Sequence, residues 1–285
     1  MRWNLSAHEA LPRIGMLLLF GLGVLVLLTT GGRVSALGEK GADGRFERRD
    51  SFHFTLYQDV ALDESGGLHG TRHFEQSVLR ELESAYDALD ALLGLRPERK
   101  LVVYVWDPSI FDGEFSGLFR FPAAGFYGGA IHVRGGTVVD GRLISVLHHE
   151  LLHAAFDAEA PGFRLPAWLN EGLAEWFEAR ALGLRQLPPA RRRALVGAAR
   201  QDALLPLVAL SGPSFGGFGP EAAQLAYVQS HGFIDHLVQR YGERKLRAFW
   251  SAVLRSRSLE RAARRVYRKS LEDLEAEFRA SLRAS

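Results

Sequence analysis

The chain has 285 residues, 47% of them hydrophobic and 24% charged, which excludes collagen-like, low-complexity and wholly disordered proteins and allows one large or two small cores. It has no cysteine, so disulfide scaffolds, thiolate metal sites and cysteine nucleophiles are excluded, and any metal must be held by His, Asp or Glu. The net charge is +2, and acidic and basic residues balance outside the first 36 residues, which argues against a general nucleic-acid role.

Residues 14–28 are an unbroken apolar run preceded by Arg2 and Arg13. A secretory core spans ~7–15 residues and a membrane helix ~17–25, so this run stands between the two. Thr29, Thr30, Gly31 and Gly32 lengthen the uncharged stretch, and Val34-Ser35-Ala36 fits a signal-peptidase site. Residues 1–36 therefore read as a signal peptide or an N-terminal membrane anchor. The positive flank stays inside, and the rest is exported across the cytoplasmic membrane, anchored or released. Residues 37–50, Gly-rich and charged, read as a linker, and 51–285 as one domain, sheet-rich over 51–140 and helical over 141–285.

Within that domain, alternation over 52–60 predicts a strand. Apolar residues at Phe74, Val78, Leu82 and Leu89 predict a helix over 71–93, ended by Gly94 and Pro97. The run LVVYVW at 101–106 predicts a buried strand, and 111–121 a loop over a cleft. Residues 125–134 read as one edge strand, turning at Gly135-Gly136, onto which an extended peptide can add, with contact between His132 and substrate as the lesser alternative. Helices are predicted over 143–156 and, after Pro161, Gly162 and Pro166, over 170–182 with Asn170 as N-cap. Further helices fall at 222–241, 243–255 and 259–282. The Gly-rich segment 211–220 reads as a mobile loop at the cleft. Strands first and helices after is an α+β layout. Arg191–Arg193 and the basic run from Arg255 to Lys269 read as solvated helix faces, or as contacts for anionic headgroups near an anchor.

The chemical signal is His148-His149-Glu150-Leu151-Leu152-His153, which contains HExxH. Residues four apart share a helical face, so His149 and His153 can turn two imidazoles on one ion. Glu150 lies about 100° round the helix, beside that ion, where a carboxylate can take a proton from water. His148 faces elsewhere and reads as structural. A catalytic zinc needs three protein ligands and an open position. The segment Leu165-Pro166-Ala167-Trp168-Leu169-Asn170-Glu171-Gly172-Leu173-Ala174-Glu175 follows a short break. Glu171 is assigned as third ligand and Glu175 as the carboxylate that orients a ligand His; the exchanged assignment is the alternative.

The stretch HHELLH…LPAWLNEGLAEWFE resembles the gluzincin metallopeptidases, most closely the peptidase MA-like group, strongly over 144–178 and weakly to the helix around Tyr227. The resemblance implies a zincin-like α+β catalytic domain with one Zn2+ on His149, His153 and Glu171. It also implies Glu150 as general base and Glu175 behind the ligands. An oxyanion donor would come from Tyr227 or His231, and Tyr227 is preferred because gluzincins use a tyrosine there. No counterpart of the aminopeptidase G-x-M-E-N strand motif is present, since the region reads GFYGGA at 125–130. The implied activity is endopeptidase-like hydrolysis of peptides or proteins, with no nucleic-acid partner. The alternative is a catalytically idle peptide-binding or assembly protein on the same scaffold.

Overall fold

The computed structural model describes residues 46–59, 70–115, 117, 123–136 and 138–285. The apolar run at 14–28 lies outside these residues; among the described ones no helix is long and apolar enough to cross a membrane. The architecture is mixed α+β, with a five-stranded sheet followed by a helical half.

The sheet is built from β1 (Phe46–Asp50), β2 (Phe54–Asp59), β3 (Leu101–Trp106), β4 (Gly125–Tyr127) and β5 (Ile131–Arg134), in the order β1-β2-β3-β5-β4. β2, β3 and β5 run parallel, while β1 and β4 are antiparallel edges. Three expectations change here. Residues 46–50 are not linker but an edge strand: FERRD carries no apolar alternation because an edge strand needs its partner's hydrogen bonds more than burial. Residues 125–134 are two strands, not one, because Gly129 at φ 93° reverses the chain between them. Segment 111–121 is in part helix, since α2 (Pro108–Phe115) follows β3 and buries Phe111 and Phe115.

One sheet face makes the main core. Phe54, Leu56, Val103, Val105, Ile131 and Val133 are fully buried beneath α1 (Gly70–Leu93), which crosses from β2 to β3, and α3 (Gly141–Glu159). Burying each such side chain stabilises the fold by about 1.5–3 kcal/mol. On the opposite face, Tyr57, Tyr104, His132 and Phe126 stand in register on four adjacent strands. Their rings stack in a row with centroids 4.9, 5.0 and 4.7 Å apart. His132 is therefore not a substrate-facing residue of an edge. It lies between β3 and β4, 6% exposed, and accepts a 3.0 Å hydrogen bond at Nδ1 from the Trp106 indole.

Burial lowers the His132 pKa to about 4. Between pH 6.5 and about 4 the unfolded chain binds a proton at this ring and the folded chain does not. The contribution to stability is thus complete above the unfolded value and declines as pH falls, by ~3 kcal/mol in total. The gap in urea-unfolding free energy between the native chain and His132→Gln should shrink by that amount from about pH 7 to pH 4. An unchanged gap would contradict the assignment of a neutral, buried ring.

The helical half continues with α4 (Ala167–Ala181), α5 (Pro189–Arg200), a single 3-10 turn at Ala209–Ser211, α6 (Pro220–Tyr241), α7 (Glu243–Ser256), α8 (Leu259–Val266) and α9 (Leu271–Arg283). The expected helix at 259–282 is two, because the backbone turns left-handed at Arg268 (φ 63°) and Ser270 opens a new capping box with Asp273. α4 begins at Ala167, so Asn170 sits inside its first turns rather than capping it. α4 and α6 cross closely: a Cβ on Gly172 would stand 2.7 Å from the Ser230 carbonyl oxygen, so only glycine permits this approach. In the 211–220 segment Phe215 is buried and packs edge-on against Tyr227.

Candidate metal centre

α3 is buried round most of its circumference, between the sheet and the later helices. Asp140 caps it by accepting a hydrogen bond from the Leu143 amide. His149, Glu150 and His153 consequently lie in the interior, at 0%, 0% and 3% exposure. Buried polar side chains need partners. α4 brings them: Glu171 is 2% exposed, and its Oε2 lies 3.5 Å from His149 Nε2 and 3.9 Å from His153 Nε2. One ligand atom from each of the three residues falls within 4.8 Å of the others.

The outer nitrogens of both rings are engaged. His149 Nδ1 donates to Glu178 at 3.2 Å, and His153 Nδ1 donates to Asn170 at 3.1 Å. This turns each Nε2 inward. His149 Nε2, His153 Nε2 and Glu171 Oε2 are all buried without a hydrogen-bond partner, as are both carboxylate oxygens of Glu150. Three orphaned donor atoms converging in the interior fit a metal. A tetrahedral zinc with bonds of ~2.1 Å spaces its ligand atoms ~3.4 Å apart, close to the separations from Glu171. The chemistry also suits zinc, two imidazoles and one carboxylate.

The electrostatics of the metal-free cluster follow from crowding carboxylates away from water. Burial alone would lower the pKa of His149, but its contacts with Glu171 and Glu178 reverse this and hold it well above the usual value. His153 goes the other way, because burial and the neighbouring His149 charge both disfavour its protonation. Burial raises Glu171, and it raises Glu150 to about 8. α3 packs against edge strand β4, which brings the strand close to the helix that carries Glu150.

Glu175 stands close to the ligand His149, with ligand atoms of His149, Glu175 and Glu178 all within 4.8 Å of one another, and it also has partners on two further helices. It forms an ion pair with Arg191 from α5 and lies 3.7 Å from His231 of α6. Burial would raise its carboxyl, but Arg191 and then His231 hold it at about 2. Helix packing brings these contacts together. Because α3 and α4 form an antiparallel hairpin, stepping back one turn from His153 to His149 advances the contact on α4 from Asn170 to Glu178. Glu175, between these, shares the face of Glu171 and Glu178 and also reaches Arg191 of α5 and His231 of α6. Arg191 Nη1 also donates to His231 Nδ1 at 3.1 Å. Arginine cannot accept, so in this contact His231 Nδ1 is the acceptor and the ring N–H is at Nε2. Tyr227 is 8% exposed; burial, then Glu171, Glu175 and Glu150, keep its hydroxyl protonated far above the usual range.

Glu178, Asn170 and Arg191 are the members of this site that sequence reasoning did not single out. The 171/175/178 spacing puts three carboxylates on one face of α4, a signal that was available for Glu178. Arg191 gave none, because its partner is distant in sequence.

The profile of the peptidase MA superfamily matches residues 86–284, which include every residue described at this centre. The chain belongs to the peptidase MA superfamily. No curated protein matches it significantly. Membership agrees with the mixed α+β architecture and points to a metallopeptidase-like function. Among the described residues of this peptidase MA domain, two groups sharing His149 could hold a metal, the buried His149, His153 and Glu171, and His149 with Glu175 and Glu178; only the first brings together both histidines of the HExxH turn.

Proposed function

We propose that this peptidase MA protein is a zinc-dependent, endopeptidase-like hydrolase acting on peptides or proteins outside the cytoplasmic membrane. The observation that carries the reading is the inward convergence of three unpartnered ligand atoms on α3 and α4, with an unpartnered Glu150 carboxylate beside them. His149, His153 and Glu171 would hold the zinc. When bound there, zinc polarises the scissile carbonyl and makes an attacking water more acidic. Glu150 takes the proton from that water and passes it to the leaving amine, so the carboxylate ends unchanged. The neutral Tyr227 hydroxyl donates a hydrogen bond to the oxyanion as the carbonyl becomes tetrahedral. His231, with its Nε2–H fixed by Arg191, is the second donor on the same helix. Glu178 and Asn170 orient the imidazoles. The edge strand β4, packed against the helix that carries Glu150, offers backbone groups to an extended peptide.

Export is supported by the apolar run at 14–28 with arginines before it, residues 1–36 being either removed or kept as an anchor. The test is an unbiased peptide library incubated with the purified chain, read by mass spectrometry. Internal cleavage that a zinc chelator stops and added zinc restores is the expected result. Zinc binding without cleavage of any peptide would leave the scaffold as a binding protein instead.

A further inference from the structure

The basic run from Arg255 to Lys269 takes no part in the metal centre, and the fold gives it an unusual form. From residue 249 to residue 268 every exposed position is an arginine: Arg255, Arg257, Arg261, Arg264, Arg265 and Arg268. α8 explains the pattern, since it buries Ala262, Ala263 and Val266 and turns Arg261, Arg264, Arg265 and, just beyond its end, Arg268 outward. The spacing i, i+3, i+4, i+7 makes these four one stripe. Among the described residues only Arg264 of the stripe has an ion-pair partner, Glu260, an exposed pair at 2.7 Å. A solvated face would mix both signs, yet Glu260 is the single carboxylate between residues 244 and 271.

Arg268 adds a second observation. It adopts a left-handed backbone (φ 63°) where glycine or asparagine would be less strained, and it has no ion-pair partner among the described residues. The backbone thus gives no reason for arginine there, whereas the stripe's charge does. Arg257 is also left-handed, but its guanidinium lies over the Phe163 ring at 4.8 Å, which accounts for it.

We propose that the arginine face of α8 docks on an anionic phospholipid surface. Two features favour lipid over nucleic acid. The exposed positions include no aromatic side chain on which a base could stack. The sequence also places seventeen residues, 29–45, between the apolar run and β1, a tether of at most ~60 Å if the run stays in a bilayer. A face of clustered guanidinium groups gains affinity from each charge near an anionic surface, and loses it in high salt. The inference is independent of the peptidase reading, since neither zinc nor Glu150 enters it.

The experiment compares the full chain with its Arg261→Ser/Arg264→Ser/Arg265→Ser/Arg268→Ser variant, using vesicles of phosphatidylcholine alone or with about 30% phosphatidylglycerol. The apolar run is common to both proteins and cancels in the comparison. The native chain should prefer anionic vesicles at least about tenfold more strongly than the variant does, with equal binding to neutral vesicles. The fourfold Lys variant should keep the preference, and salt should erase it. An anionic preference equal in native and variant chains overturns the proposal. So does duplex DNA that displaces the chain from anionic vesicles at a lower phosphate concentration than free phosphatidylglycerol vesicles require.

Discussion

Replacing Glu150 by Gln should abolish peptide cleavage, lowering kcat by roughly 10³-fold, while making the metal-free protein more stable. Both effects have one origin. Glu150 is fully buried, neither of its oxygens has a hydrogen-bond partner, and burial raises its carboxyl to about 8. A carboxylate in this setting is poorly solvated and therefore a stronger base toward a nearby water than an exposed glutamate. The unfolded chain ionises this group near its ordinary value of 4.5, while the folded chain resists until about 8. The group's contribution to stability is therefore best below pH 4.5 and worsens as pH rises through this window, by up to ~3 kcal/mol at pH 7. Glutamine has nearly the same shape and no charge to desolvate. Thermal unfolding of chelator-treated protein should show Glu150→Gln more stable at pH 7, by about 1–3 kcal/mol, with the advantage gone near pH 4. A variant that stays active, or that is destabilised equally at both pH values, would show that Glu150 is structural.

The second large effect is on folding. Arg191→Met should destabilise the chain by about 3–5 kcal/mol, because it leaves Glu175 as an uncompensated buried charge. Glu175 is 3% exposed, and the Arg191 charge is the largest influence that holds its pKa down. Because that pKa is depressed, the pair's contribution is present above the unfolded value of 4.5 and disappears as pH falls toward about 2. The double variant Arg191→Met/Glu175→Leu should recover most of the loss, since an apolar pair of similar volume often replaces a buried ion pair without cost. Urea unfolding of the two variants checks this directly. Should the single and double variants be equally unstable, Arg191 acts through packing and not through charge. In the recovered double variant His231 loses the donor that fixes its proton on Nε2, so its kcat should still fall while zinc content holds.

How much of this could be read beforehand divides along the length scale of the interaction. His149, Glu150 and His153 were legible because four residues make one helical turn, and no tertiary information is needed to put them on one side of α3. Glu171 was legible for a related reason, a carboxylate in the first turns after a proline-led break. Glu178 was not assigned, because which carboxylate of α4 meets His149 depends on how the two antiparallel helices slide past each other. Arg191 was hidden among three consecutive arginines, of which Arg192 and Arg193 are exposed and it alone turns inward. In the sheet, LVVYVW declared β3 by composition, whereas β1 and β4 are edges whose hydrogen bonds, not side chains, define them. His132 looked like an edge residue because the hairpin between β4 and β5 was read as one strand.

The account rests on three side chains that meet at one ion. Metal analysis of the purified chain, with Glu150→Gln and Glu171→Gln alongside, tests that most directly. The native chain and Glu150→Gln should each carry one zinc per molecule, and Glu171→Gln should lose most of it, in line with the unpartnered Glu171 Oε2 facing both His Nε2 atoms. A native chain that takes up no zinc at neutral pH, or a Glu171→Gln variant that binds it as tightly as the native chain, would contradict the centre described here.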